Sequence, residues 1–236
     1  MVTPLPPRHP REARPISAYF AELVATFAFV FVGAGAIIMD AHTGGGVTLL
    51  GIALAHGLVL SIAVSITIPI SGGHVNPAVT VAMLATKRIA AGKAGGYIVA
   101  QLAGATLAGV LLKGFYPAGA VAKSNLGTPA LGPGVTFAQG VVIEAILTFF
   151  LLFTIFGAAV DPRGPQQIAG FCIGLTVAFD ILAGGPLSGA SMNPARTFGP
   201  ALAAGFWDNH LVYWIGPVLG GLLGAFLYRG LVLPRK

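Results

Sequence analysis

The sequence predicts an all-α membrane protein with six transmembrane helices and two re-entrant half-helices, folded as an inverted repeat. Three observations predict it. First, of 236 residues 56% are hydrophobic and only 8% charged, against roughly 25% charged in soluble domains, and mean hydropathy is +0.86. Second, six apolar runs are long enough to cross ~30 Å of hydrocarbon as helices. Third, a set of landmarks in the first half of the chain recurs, in the same order, in the second.

Residues 1–15 are polar and proline-rich and carry Arg8, Arg11 and Arg14. They predict a disordered cytoplasmic tail. The apolar run behind them is too long for the core of a signal peptide and shows no cleavage site. One membrane domain is expected over 16–233. Its spans fall at 16–39, 48–70, 95–112, 137–160, 168–183 and 211–233. Two further apolar stretches, 75–85 and 192–204, are too short to span, and each follows a Ser-Gly turn. The net charge of +6 sits at the ends and in short loops, so no basic face for nucleic acid is expected. One set of loops and ends holds Lys87, Arg88, Lys93, Arg163, Arg229, Arg235, Lys236 and the tail arginines, and the other holds only Lys113 and Lys123. The positive-inside rule then places both termini in the cytoplasm of a multi-pass cell-membrane protein. Cys172 is the sole cysteine, which leaves no disulfide framework or cysteine metal cluster. No cofactor, metal or enzymatic activity is expected.

The repeat is specific. Glu22-Leu-Val-Ala-Thr26-Phe27 is matched by Glu144-Ala-Ile-Leu-Thr148-Phe149, Tyr97 and Gly104 by Tyr213 and Gly220, and Ser71-Gly-Gly-His-Val-Asn76-Pro77-Ala78 by Ser188-Gly-Ala-Ser-Met-Asn193-Pro194-Ala195. The repeats cover about 16–112 and 137–233. Each holds three spans, so the second copy is upside down, an arrangement that points to a transport site at the bilayer midplane. In both short segments Asn is a favoured N-cap, and Pro at the next position lacks an N–H that would otherwise be orphaned. A single Asn-Pro-Ala could be only a capped turn. Two copies in matching positions of inverted halves predict half-helices whose N-termini meet at the membrane centre. Each such end carries about +0.5 charge, and the Asn76 and Asn193 amides can point donors into the space between. Water passing there would turn its oxygen to the donors, which breaks a continuous proton wire. The predicted device is a pore for neutral solutes that excludes protons and ions.

The paired Asn-Pro-Ala motifs, in the contexts S-G-G-H-V-N-P-A-V-T and S-G-A-S-M-N-P-A-R-T-F-G-P, resemble the aquaporin (major intrinsic protein) family over nearly the whole chain. The resemblance implies an aquaporin-like right-handed bundle, one pore per subunit, water as the principal solute, and a homotetramer in the lipid bilayer. It also implies a selectivity constriction at His56, Ile181, Ala190 and Arg196. That set differs from strictly water-selective members, which pair an aromatic with a histidine, and looks like the tonoplast intrinsic branch. Ammonia, hydrogen peroxide and urea then become candidate solutes. The loop 123–133 carries no histidine, unlike some ammonia-permeable members. Thr197 stands where glycerol-permeable members usually carry Asp, which makes glycerol a weaker candidate. By the same resemblance Glu22 and Glu144 hold the two re-entrant loops. Arg196 has Val79 as its repeat counterpart, so this charge breaks the symmetry. An arginine at membrane depth is costly and lines a cavity. His74 is expected near the cytoplasmic mouth, and Asp180 as a bundle-facing hydrogen-bond acceptor. Gly216, Gly220 and Gly224 in the sixth span, with Gly104 and Ala108 in the third, have the spacing of close helix packing. A proton- or sodium-coupled transporter would need ionisable groups along the path, for which only Asp180 and His56 are available. An intramembrane enzyme would need a catalytic pair that is not evident.

Overall fold

The computed structural model describes residues 15–234. The expected tail therefore falls outside the described residues, apart from Pro15, which opens the first helix, and so do Arg235 and Lys236. In chain order the helices are α1 (Pro15–His42), α2 (Thr48–Ser71), the half-helix α3 (Pro77–Ala85) and α4 (Ala91–Phe115). They continue with the short α5 (Ala118–Lys123), α6 (Phe137–Ile155), α7 (Ala169–Ser188), the half-helix α8 (Pro194–Ala204) and α9 (Val212–Leu227). Single π-helical turns at Phe156–Val160 and Tyr228–Val232 extend α6 and α9. Among the described residues six helices are long and apolar enough to cross a membrane, as the sequence predicts.

Three differences from expectation have local causes. The fifth span does not stop at 183. It runs through Gly184, Gly185 and Pro186 to Ser188, because Gly184 packs directly on Leu147 of α6 and neighbouring helices support a proline within a membrane helix. Left-handed Gly189, with φ 83°, then ends it. The half-helices begin at Pro77 and Pro194, later than 75 and 192. Val75 and Met192 have positive φ (54° and 53°) and belong to the loops. Helix α5 was not anticipated: three of its six residues are alanine, and alanine is the strongest helix former.

Glycines set the packing. A Cβ on Gly104 would collide with the Leu23 carbonyl of α1, and one on Gly220 with the Ala145 carbonyl of α6. The two halves thus make the same backbone-to-backbone approach next to Glu22 and Glu144. Across the repeats, Gly57 of α2 and Gly174 of α7 each face the other's carbonyl oxygen. Side chains at any of these four positions would push spanning helices apart. Outward faces carry Phe20, Ile62, Ile66, Phe179 and Leu223 in exposed positions, as hydrocarbon contact requires.

Asp161, buried just after the π turn of α6, ties the α6–α7 connection to the end of α9. Its Oδ2 accepts from Tyr228 Oη at 3.1 Å and from Arg163 Nη2 at 2.6 Å, and the same Nη2 donates to the Val232 carbonyl at 2.8 Å. The Arg163 hydrogen bonds hold the Asp161 carboxyl well below the usual carboxylate range. A depressed folded-state pKa contributes stability that is complete above the unfolded value, about 4, and is lost as pH falls toward the folded one. Asp161→Asn should therefore lower the melting temperature at pH 7 and flatten its decline below about pH 4. Thermal melts across pH 3–7 read this out. Coincident curves for the two proteins would show that the cluster contributes nothing.

Candidate pore and its constrictions

Each half-helix starts where its sequence says it should. Asn76 is extended (φ −157°, ψ 123°) and its Oδ1 accepts from the Ala78 N–H at 2.8 Å. Asn193 (φ −149°, ψ 109°) accepts from Ala195 at 3.0 Å and Arg196 at 3.3 Å. The two side chains also cross. Asn76 Nδ2 donates to the Met192 carbonyl at 2.8 Å, and Asn193 Nδ2 donates to the Val75 carbonyl at 2.9 Å. One N–H of each amide is thus spent locking the opposite loop, and one remains for the pore. This reciprocal lock goes beyond the expectation from sequence, in which the amide donors point into the pore. Positive φ at Val75 and Met192 sits in the same two loops. For a β-branched residue such as Val75 that conformation is strained, and the lock holds it in place.

The loops are held from behind by the two carboxylates. Glu22 Oε1 accepts from Ser71 Oγ (2.6 Å) and the His74 N–H (2.9 Å), and Oε2 from the Val75 N–H (2.6 Å) and Gln101 Nε2 (2.8 Å). Glu144 accepts from Ser188 Oγ (2.7 Å) and the Ser191 (2.9 Å) and Met192 (2.7 Å) N–H groups. Tyr97 and Tyr213 complete the symmetry by donating to the Ser71 and Ser188 carbonyls at 2.7 and 2.8 Å. Gln101 has no second-half counterpart in the hydrogen-bond pattern: the position aligned through Tyr97 and Tyr213 is Pro217. Repeat comparison alone therefore could not find it.

His56 of α2 and Arg196 of α8 come together although 140 residues apart, with Arg196 Nη2 3.2 Å from His56 Nε2. His56 Nδ1 lies 2.8 Å from the Ile52 carbonyl, which can only accept. Nδ1 therefore carries the proton, and Nε2 accepts from the guanidinium. Arg196 Nη1 donates to the Gly127 carbonyl at 2.7 Å, while its buried Nε has no partner among the described residues. Ile181 and Ala190 are buried in one apolar cluster. Ala190 has φ 44°, in the loop position where the first half has Gly73. Gly127 is the site residue the sequence reading missed. It follows Asn125 and Leu126, both left-handed, and that tight turn aims its carbonyl inward. Asp180 is buried, but among the described residues its Oδ2 meets no donor. The expected acceptor bond is not formed at that oxygen; Thr176 and Gly184, one turn to either side, contact Thr154 and Leu147 of α6.

Asn76 and Asn193 both line a cavity that opens between the halves, walled by apolar residues such as Phe29, Leu60, Val64 and Leu151. The space open to water centres there is about 20 Å³, and a single water needs roughly 10–15 Å³. It shares His74 and Val79 with a wider cavity of about 280 Å³ that reaches Arg88. His74 is fixed there by Nδ1 at 3.1 Å from Thr80 Oγ1 and by the edge-on ring of Tyr97.

A bundle of six spans, with two Asn-capped half-helices meeting over a narrow apolar cavity, defines a membrane channel built for small uncharged solutes. The profile of the major intrinsic protein family matches residues 10–228, and the chain belongs to that family. Aquaporin TIP4-4 of Zea mays is 48% identical, the match covering 96% of this chain and 92% of that one. The probable aquaporin TIP3-2 of Arabidopsis thaliana is 46% identical over 93% and 85%. The aquaglyceroporin structure from Plasmodium falciparum superposes with a TM-score of 0.76 at 24% identity, over 93% of this chain and 97% of the other, which shows the shared fold. The chain is thus a passive channel of the aquaporin family, of the branch to which the TIP relatives belong, as the sequence resemblance implied.

Proposed function

We propose that the pore conducts water in single file between the half-helices, and passes ammonia, hydrogen peroxide and urea as small neutral solutes while excluding protons and ions. The observation that carries this is the crossed pair of Asn amides at a cavity of about 20 Å³, under two converging helix N-termini. Asn76, Pro77, Ala78, Asn193, Pro194 and Ala195 form the central barrier. His56, Ile181, Ala190 and Arg196 form the outer constriction. Glu22 and Glu144 hold the loops. The channel domain spans 16–233, with both termini cytoplasmic as the basic residues indicate. The six apolar spans support a multi-pass membrane protein, and the TIP relatives weigh against the cell membrane as its location. An apolar groove between α1 and α2, lined by Phe20, Val24, Ile62 and Ile66, supports contact with further copies in a homotetramer.

The test is stopped-flow light scattering of proteoliposomes with water, ammonia, urea and glycerol in one preparation. Water flux should exceed that of protein-free liposomes, ammonia and urea should pass measurably, and glycerol least. Ile181 and Ala190 leave room where a strict water pore has larger rings. His56→Phe with Ile181→His should therefore reduce ammonia and urea permeability about tenfold more than water. A wild type closed to ammonia and urea would overturn the solute range. Flux driven by a proton gradient would overturn the passive pore.

A further inference from the structure

Both acceptors that hold Arg196 rest on one short stretch of α1, a helix that gives no residue to the expected constriction. The His56 ring lies against Gly33: a Cβ there would stand within 3.0 Å of three ring atoms. Phe29, one turn earlier, meets the same ring edge-on at 5.7 Å between centroids. The next residue, Ala34, backs the other acceptor. A Cβ on Gly127 would lie 2.8 Å from the Ala34 carbonyl oxygen and 2.9 Å from its Cβ. Gly33 is inside a regular helix and needs no unusual backbone conformation. Alanine would be the better helix former at that place. What the glycine supplies is space.

We infer that Gly33 is a specificity-determining positioning residue of the pore. Its missing side chain lets the His56 imidazole sit back against α1, where Nε2 receives Arg196 and the constriction stays open. A methyl group at position 33 closes that space. The ring cannot yield toward Phe29, and Nδ1 is held by Ile52. The side left to it is the one that carries Arg196, so the ring moves into the constriction. The inference rests on the reading of His56 and Arg196 as the outer constriction.

The experiment is a double-mutant cycle on proteoliposome flux with wild type, Gly33→Ala, His56→Ala and the double variant. Gly95→Ala is the control, since a Cβ there meets nothing within 4 Å. Overpacking of this kind translates to a loss of about tenfold in water permeability for Gly33→Ala, with urea reduced further. In the His56→Ala background, where the ring is gone, Gly33→Ala should change neither flux by more than about twofold. Should Gly33→Ala fail to fold, recovery of folded protein in the double variant carries the same information. Equal losses in both backgrounds, or misfolding in both, would show a general packing role and overturn the inference. So would a Gly33→Ala protein with wild-type flux and selectivity. A wild type with no flux above protein-free liposomes is a separate outcome, which overturns the pore reading and the inference with it.

Discussion

Glu144→Gln is expected to cost about 1–3 kcal/mol of stability and most of the water flux. Every partner of the Glu144 carboxylate is a donor: the Ser188 hydroxyl and the Ser191 and Met192 N–H groups. Glutamine keeps one acceptor oxygen and replaces the other with an NH₂ that meets a backbone N–H. That leaves a buried donor unpaired at the loop whose Met192 carbonyl receives Asn76. The lock between the half-helices therefore loosens from the second-half side. Glu22→Gln should act from the other side and cost at least as much, since Glu22 accepts four donors. Both variants should melt lower in detergent and pass less water, with no new dependence on a proton gradient. Normal melting with loss of only a proton-driven component would instead mark these carboxylates as transport groups.

Arg196→Val should leave the fold and water flux in place and let protons or small cations leak. Its charge is fixed between the His56 ring and the Gly127 carbonyl. Valine is the residue the repeat itself carries at the matching position, Val79, so the helix accepts it. The freed His56 Nε2 and Gly127 oxygen can take water in place of the guanidinium. Arg196→Lys separates charge from shape, because an ammonium lacks the planar fork that reaches two acceptors at once. It should restore cation exclusion in part and alter solute selection. Proton leak is read from a pH dye trapped in the liposomes. Unchanged exclusion in Arg196→Val would assign the whole barrier to the half-helix dipoles and the Asn pair.

Much of the architecture was legible because its signals are local or repeated. Span lengths follow from hydrocarbon thickness, and half-helix starts follow from Asn before Pro. Inversion follows from an odd number of spans per repeat. The errors fell where a breaker is overruled by its neighbours. Gly184, Gly185 and Pro186 read as the end of a span, and packing on Leu147 carries α7 past them. Asp180 read as a bonded acceptor, yet among the described residues its Oδ2 meets no donor. Thr136 and Gln139 form a capping box at the start of α6, a local signal carried by two residues three apart.

The sequence by itself determined that this chain crosses a membrane six times, that two short Asn-Pro-Ala helices enter it from opposite sides, and that it belongs with passive channels. Each of these depends on hydrophobicity, capping chemistry or symmetry, which act over a few residues or repeat along the chain. Only the tertiary structure decided which groups share the Arg196 guanidinium, that each Asn amide spends a donor on the opposite loop, that Gln101 joins Glu22, and that Gly33 and Ala34 back the constriction. Those pairings join residues far apart in the chain, through backbone carbonyls and glycines that carry no side-chain signature. They exist only once helices approach closely enough for a missing Cβ or an inward-turned carbonyl to matter.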